Sequence, residues 1–247
     1  MVQGIYTAES GMIPRMNQQK NVSNNLANQT THGYKKGLIF LRQLITAQDA
    51  LDHAKGIERT KITEDFRIDY SQGTLDKTDN NYDIALNGSG FFRVQDKSGN
   101  IYYTRDGRFF TDPDGKLVTS TGMNLLNDRN SVISILGRDV KITGNGDIIE
   151  DGTNIGTIGL ADFEKKDYPS LKSIGGGLYI KPANVNEVKA NPDTQYLQGY
   201  LEESNVDPVL TMVDMIELFR MYEMGQKSIQ IQDQTLNRVI TEIGVIK

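Results

Sequence analysis

The C-terminal stretch has the most regular hydrophobic pattern in the chain. Asp207 is a suitable N-cap and Pro208 fits the first helical position, so the sequence predicts a helix that begins there. Apolar residues then recur at seven-residue intervals, with others three residues later: Met215, Leu218, Tyr222, Ile229, Leu236, Val239, Ile243 and Ile246. This spacing predicts a seam that packs against a partner helix. At 1.5 Å per residue the helix would be roughly 60 Å long, too long for a small domain to cover.

The first half of this predicted helix has a second apolar stripe. Its members are Val209, Met212, Val213, Ile216 and Phe219. A helix that is apolar on more than one side requires more than one neighbour.

The N-terminal residues predict a second helix, which ends near a left-handed turn at Gly33. Its weaker seven-residue series runs through Ile5, Met12, Gln19 and Leu26, with Val22 beside it. Pro14 is expected to kink or divide this helix because proline removes a backbone donor. The natural partner of this seam is the C-terminal seam.

Between the two helices the pattern changes twice. In residues 34–80, Leu38 to Ala54 is compatible with a short helix and Thr60 to Tyr70 with extended chain. From residue 81 to about 198, short β-type runs alternate with glycine- and aspartate-bearing turns, which predicts an antiparallel sheet.

The predicted fold class is α+β, with long N- and C-terminal helices that form a helical rod or coiled coil and an inserted, mainly antiparallel β domain. The predicted segments are an N-terminal rod helix (1–33), a partly extended connector (34–80), a β-rich outer domain (81–198) and a C-terminal rod helix (199–247).

Composition narrows the possible functions. The chain has 247 residues and a formal net charge of −5, so nucleic-acid binding has no electrostatic support. It has no cysteine, which excludes disulfides and thiolate metal sites. No apolar run is long enough for a membrane span, and the N-terminus lacks the pattern of a secretory signal. We expect any export to proceed without a cleaved signal peptide.

Candidate chemistry is sparse. The acidic runs at 112–115 and 145–152 offer oxygen ligands for calcium, but Asp, Asn and Gly are also the residues that hairpin turns require. His32 and His53 lack a partner at metal-site spacing. We therefore predict no catalytic, cofactor-binding or metal-binding residue.

Four sequence blocks together resemble the flagellar basal-body rod, hook and hook-basal-body protein family. They occur in the family's order and span nearly the whole chain: Ser23–Asn28 with Thr31–Lys35, Asp83–Phe92, Tyr103–Phe109 with Asp114–Val118, and Gly199–Val206 with Met215–Ile216, Arg220–Glu223 and Lys227.

The resemblance implies a structural, non-enzymatic subunit without cofactor or metal. Its terminal helices would pair with those of other copies and of neighbouring rod subunits, while the β domain forms an outer layer. The flagellar export apparatus would recognise the uncleaved N-terminal region. The assembled rod would cross the periplasm and transmit torque to the hook.

Three alternatives remain open at this stage. Pro208 and the Tyr222–Met224 run favour a proximal rod subunit over a distal one. From another class, a β-domain binding or adhesion module with a coiled-coil stalk is the competing hypothesis. An enzyme is a distant third, because no convergent set of ionisable groups is evident.

The predicted assembly interface is the pair of helical seams, formed by Ile5, Met12, Val22, Leu26, Met215, Leu218, Tyr222, Ile229, Leu236, Val239 and Ile243.

A charge in the seam tests this prediction. Replacing Leu236 with Asp is expected to block assembly because a carboxylate would be buried, while the β domain stays folded. Motility and incorporation of the subunit measure the first effect, and circular dichroism measures the second. Normal motility with L236D would show that the seam is assigned incorrectly.

Overall fold

The computed structural model describes residues 2–44, 61–135, 140–188 and 191–244. Its contacts divide the chain into two compact units. The helical unit comprises Met1–Ala27, Gly37–Ile68 and Asp207–Lys247, and the β unit comprises Asn28–Lys36 and Asp69–Val206. The segment boundaries predicted at residues 33, 80 and 198 remain predictions.

Two α-helices pack together in the helical unit: α1 (Val2–Ala27) and α2 (Pro208–Gly244). The predicted start of α2 is confirmed, because Asp207 Oδ1 accepts the amides of Val209 at 2.9 Å and Leu210 at 3.1 Å. Helix α1 continues through Pro14 and is not divided there. Gly225 brings the two helices close, since a Cβ added there would lie 3.1 Å from Met12 Cγ.

An antiparallel ribbon of two strands, β1 (Gly37–Leu44) and β2 (Lys61–Ile68), belongs to the same unit. Extended structure predicted for Thr60 to Tyr70 is confirmed at Lys61–Ile68. The helix predicted from Leu38 to Ala54 is wrong as far as Leu44, and its remainder lies outside the described residues. Strand β1 pairs with β2 along its whole length, which satisfies its backbone without a helix.

The predicted fold class is wrong in one respect. The described residues contain two helices of unequal length, 26 and 37 residues, and no long coiled-coil rod at both termini. The reason lies in a polar row on α1. Asn17, Asn21 and Asn25 occur every fourth residue and bond to the ribbon instead of extending an apolar seam. Asn25 Nδ2 donates to the Gly37 carbonyl at 2.8 Å, and its Oδ1 accepts the Gly37 amide at 2.9 Å.

The β unit is extensively antiparallel. Its strands are β3 (Leu75–Lys77), β4 (Ile84–Asn87), β5 (Phe91–Gln95), β6 (Ile101–Thr104), β7 (Phe109–Thr111), β8 (Leu117–Thr119), β9 (Asn124–Leu125), β10 (Val140–Ile142), β11 (Asp147–Glu150), β12 (Thr153–Thr157), β13 (Leu160–Ala161), β14 (Lys172–Gly175), β15 (Leu178–Ile180), β16 (Gln195–Gln198) and β17 (Tyr200–Glu202). A 3₁₀-helix spans Tyr168–Ser170.

Most of these strands join one eight-stranded sheet with the order β14-β15-β6-β5-β9-β8-β7, in which β13 also pairs with β5. A three-stranded sheet, β10-β11-β12, and the pairs β16-β4 and β17-β3 complete the unit. The two pairs connect early strands to late ones, so residues 75–87 are joined to residues 195–202.

The core of the β unit is apolar and well packed. Phe92 contacts Phe109 edge to face, with ring centroids 5.3 Å apart, and buried Ile, Leu and Val side chains surround them. The hydroxyl of Tyr196 donates to the Ile158 carbonyl at 3.0 Å, so this buried tyrosine is satisfied. Hairpin chemistry explains the acidic run at 112–115, where Asp112 Oδ1 accepts the amides of Asp114 and Lys116.

Gly107 marks the closest backbone approach in this core. A Cβ added there would overlap the Ile84 carbonyl oxygen, whereas one added at Gly144 would meet no atom within 4 Å. We expect Gly107→Ala to lower the free energy of unfolding by more than ~2 kcal/mol, because backbone must move, and Gly144→Ala to change it by about 0.5 kcal/mol or less. Urea unfolding followed by circular dichroism measures both. Equal stability of the two variants would contradict the described packing.

Candidate assembly interface

The predicted seam on α2 corresponds to its least exposed face. Buried or half-buried residues recur along this face at alternating spacings of four and three residues: Thr211, Met215, Leu218, Tyr222, Gly225, Ile229 and Gln232. On α1, the predicted residues Met12, Val22 and Leu26 are also half-buried. Ile5 lies in α1, and Leu236, Val239 and Ile243 lie in α2, with side chains outside the described part. The assignment of these residues to an assembly interface remains a prediction.

The second apolar stripe of α2 is exposed along its whole length. Val209 is 70% exposed, and Val213, Ile216 and Phe219 are at least half exposed. Met212, the remaining member of the stripe, is also exposed, and Leu210, Met224 and Ile231 add to the exposed apolar surface. Large exposed apolar patches on monomeric proteins are often interaction sites. We call this surface the outer stripe of α2.

A buried ionic cluster lies in the β unit, where residues that follow α1 meet residues that precede α2. Lys35 Nζ lies 2.5 Å from Glu202 Oε1, and Arg105 Nη1 lies 3.1 Å from Glu202 Oε2. The Lys35 and Glu202 side chains are each 1% exposed and that of Arg105 is 5% exposed. We call these three residues the clasp.

Backbone groups add further hydrogen bonds to the clasp. Lys35 Nζ also donates to the Ser71 carbonyl, and Arg105 Nη2 donates to the Gly88 carbonyl, both at 2.7 Å. The Gly73 amide donates to Glu202 Oε1 at 3.0 Å. The Glu202 carboxylate thus accepts from three donors, two of which are cationic, and these bonds compensate for its loss of water.

The clasp is reinforced by bonds between the same chain segments. The Gly33 amide donates to the Glu202 carbonyl at 2.7 Å, and the Lys36 amide donates to Asn205 Oδ1 at the same distance. Asn205 Nδ2 donates to the Asp69 carbonyl at 2.9 Å. Residues 28–36 and 199–206 are therefore joined within the β unit.

Burial and pairing act in opposite directions on Lys35. Removal from water lowers the pKa of its ammonium group below the ordinary value, and the neighbouring Glu202 carboxylate partly offsets this. Breaking a buried pair by removing one partner leaves the other charge without compensation, which costs about 3–5 kcal/mol. Removal of Glu202 would leave two such charges.

Sequence reasoning did not identify the clasp as a site. Lys35, Arg105 and Glu202 each lie in a different block that resembles the flagellar family, yet Lys35 and Glu202 are 167 residues apart. The available signal was a charged residue among apolar and aromatic neighbours, as in Tyr200-Leu201-Glu202. That signal gives no information about the partner.

The described residues give no candidate for a metal-binding group or for a membrane-spanning helix. They contain no group of three or more His, Asp or Glu side chains that could hold a metal ion. No helix in the described part of the chain is both long and apolar enough to cross a membrane.

Comparison with known proteins assigns the chain to a family. Three family models match in order: flagella basal body rod protein (residues 5–35), flagellar hook protein FlgE/F/G D1 domain (85–153) and flagellar basal body rod FlgEFG protein C-terminal (197–242). The flagellar basal-body rod protein FlgG of Buchnera aphidicola from Schizaphis graminum is 34% identical over 97% of this chain and 99% of its own length.

The chain belongs to the flagellar basal-body rod protein family. The rod protein FlgF of Caulobacter vibrioides is 35% identical over 91% of both chains, and the hook-basal body complex protein FlhO of Bacillus subtilis is 29% identical over 100% of both. The resemblance inferred from the sequence blocks is thus confirmed, and the protein is a structural rod subunit of the flagellar basal body. FlgG and FlgF relatives match at similar identity, so these names do not separate a proximal from a distal position.

The clasp predicts unequal effects for two adjacent glutamates. Glu202→Gln removes the charge that balances Lys35 and Arg105, so we expect the free energy of unfolding of the β unit to fall by about 3–5 kcal/mol. Glu203 is exposed, and Glu203→Gln should change stability by about 0.5 kcal/mol or less. Chemical unfolding of both variants provides the measurement. Similar stabilities would show that the clasp does not hold these segments together.

Proposed function

We propose that this rod subunit self-assembles through its terminal helices, and that the outer stripe of α2 docks on neighbouring subunits of the rod. The observation that carries this proposal is the exposure of Val209, Val213, Ile216 and Phe219 in the lone chain. Each such side chain contributes about 1.5–3 kcal/mol when fully buried. Several of them together are sufficient to offset the entropy lost when a subunit docks.

The seam and the outer stripe have different roles in this proposal. The seam residues Met215, Leu218, Tyr222 and Ile229 are half-buried, which is consistent with pairing to α1. The outer stripe lies at other helical positions and is left for another subunit. The predicted interface of eleven seam residues is therefore extended here by the outer stripe.

The clasp supports assembly indirectly. It joins the segment that follows α1 to the segment that precedes α2, so both helices emerge from residues held in one network. We propose that this anchoring lets a β unit with its own core transmit torque between subunits across the periplasm to the hook. The burial of the charged side chains of Lys35, Arg105 and Glu202 supports this anchoring role.

We further propose a proximal position in the rod, with a distal position as the alternative. The support is the sequence at the start of α2, where Pro208 follows Ser204–Asp207, and the Tyr222–Met224 run. Electron microscopy of basal bodies that carry a tagged subunit distinguishes the two positions. Density at the hook end of the rod would favour the distal alternative.

The proposal also includes the route by which the subunit is exported. We infer that the flagellar export apparatus secretes the chain without cleavage of a signal peptide, and that the protein acts without enzymatic activity, cofactor or metal. The support is membership in the rod family. Mass measurement of the subunit in purified basal bodies tests this, because cleavage would shorten the N-terminus.

Two neighbouring lysine substitutions test the outer stripe. Ile216→Lys puts a charge at a position that is 55% exposed, so the free subunit should fold normally but fail to enter the rod. The control, Glu217→Lys, changes the net charge of the chain more than Ile216→Lys does, but at an exposed position beside the stripe. A subunit with this substitution should therefore be incorporated into the rod. Immunoblots of purified basal bodies and swimming assays measure both. Normal incorporation of I216K would contradict the proposal.

A further inference from the structure

A cleft of about 580 Å³ opens on the β unit, away from the core of the sheet. Aromatic rings of Tyr70, Phe163 and Tyr168 form part of its lining, and Arg105, Asp162 and Lys165 are the charged residues there. Its lining is formed by residues of the β unit alone. The assembly surfaces described above do not use this cleft.

Two hydrogen-bond donors in the lining lack an acceptor among the described residues. Arg105 uses Nη1 on Glu202 and Nη2 on the Gly88 carbonyl, but its Nε has no partner. The hydroxyl of Tyr70 likewise has none. Both atoms are shielded from solvent, and buried polar atoms without a partner are rare enough in native proteins to require an explanation.

The clasp and the charged residues of the cleft together carry a net formal charge of +1, from Lys35, Arg105 and Lys165 against Glu202 and Asp162. Lys35 and Arg105 share the single carboxylate of Glu202, so the clasp has a formal charge of +1. Lys165 is exposed and makes no ion pair with a described residue. Asp162 is already engaged, because it accepts from the Ser89 hydroxyl, the Tyr168 hydroxyl and the Phe163 amide. None of the bonds that Asp162 accepts comes from Arg105 or Tyr70, so the Arg105 Nε and the Tyr70 hydroxyl are still without an acceptor.

We propose that this cleft binds a carboxylate, with Arg105 and Tyr70 as its donors and Lys165 as an additional cation. A carboxylate on an aliphatic stem fits the site because the aromatic rings can cover the stem while the free donors meet its oxygens. Tyr70 is only half-buried, and it lines the cleft together with Arg105. The carboxylate can belong to a free organic acid or to an acidic side chain of another protein chain.

Binding to the full chain distinguishes these sources. The probes are glutamate capped at both ends as amides, the equally capped glutamine, and free glutarate, titrated by isothermal calorimetry. We expect capped glutamate to bind with a Kd of about 1 mM or tighter and at least about tenfold more tightly than capped glutamine. The affinity should fall with added salt. Tighter binding of capped glutamate than of glutarate indicates a protein side chain, and the reverse indicates a free acid.

A pair of tyrosine variants tests the unpaired hydroxyl. Tyr70→Phe removes a buried donor that has no partner, so it should raise the Tm of the free protein by roughly 2–4 °C and weaken carboxylate binding several-fold. Tyr196→Phe is the matched control, because it removes a buried hydroxyl that donates to the Ile158 carbonyl outside the cleft. It should lower the Tm and leave binding unchanged.

A third variant tests the contribution of the Lys165 charge to carboxylate binding. Lys165→Gln alters an exposed side chain and should weaken carboxylate binding without a change in Tm. Equal affinity for capped glutamate and capped glutamine would overturn the proposal whatever the Tm values are. A Tm loss in Tyr70→Phe equal to that in Tyr196→Phe would also overturn it, because the hydroxyl would then have a partner already.

Discussion

In the described part of the chain, helix α2 buries only one of its two apolar faces, and the proposed assembly depends on this constraint. One face, through Met215, Leu218 and Tyr222, is half-buried, while the outer stripe is exposed. A single partner helix covers only one face of a helix. An isolated subunit therefore exposes apolar surface to water along much of a 37-residue helix. We propose that assembly with other subunits removes this cost.

The β unit, in contrast to helix α2, buries its large apolar side chains within itself. Its aromatic and aliphatic side chains form a buried core, and its charged cluster is held together by ion pairs and backbone bonds. Buried ion pairs are weak contributors to net stability, but they are specific, since each charge tolerates few alternative partners. The clasp uses this specificity to join two segments that are far apart in sequence. A chain that combines a β unit with its own buried core and a helix with exposed apolar side chains is well suited to a polymer subunit.

Local patterns in the sequence predicted those features that depend on neighbouring residues. The seven-residue spacing identified the half-buried face of α2, Asp207 was recognised as its cap, and turn residues marked the antiparallel strands. Prediction failed where a distant partner decides the outcome. The asparagine row of α1 reads as a poor seam until strand β1 is placed beside it. In the same way, Lys35 and Glu202 carry no mark of their pairing across 167 residues.

The most direct test of the central claim is protection of the outer stripe on assembly. The chain has no cysteine, so Ile216→Cys introduces a single thiol whose rate of reaction with a maleimide can be measured. A cysteine at Glu217 serves as the exposed reference. We predict that the thiol at position 216 reacts readily in the free subunit and at least about tenfold more slowly in purified basal bodies, while the reference changes little. Equal reactivity at position 216 in both states would contradict this claim.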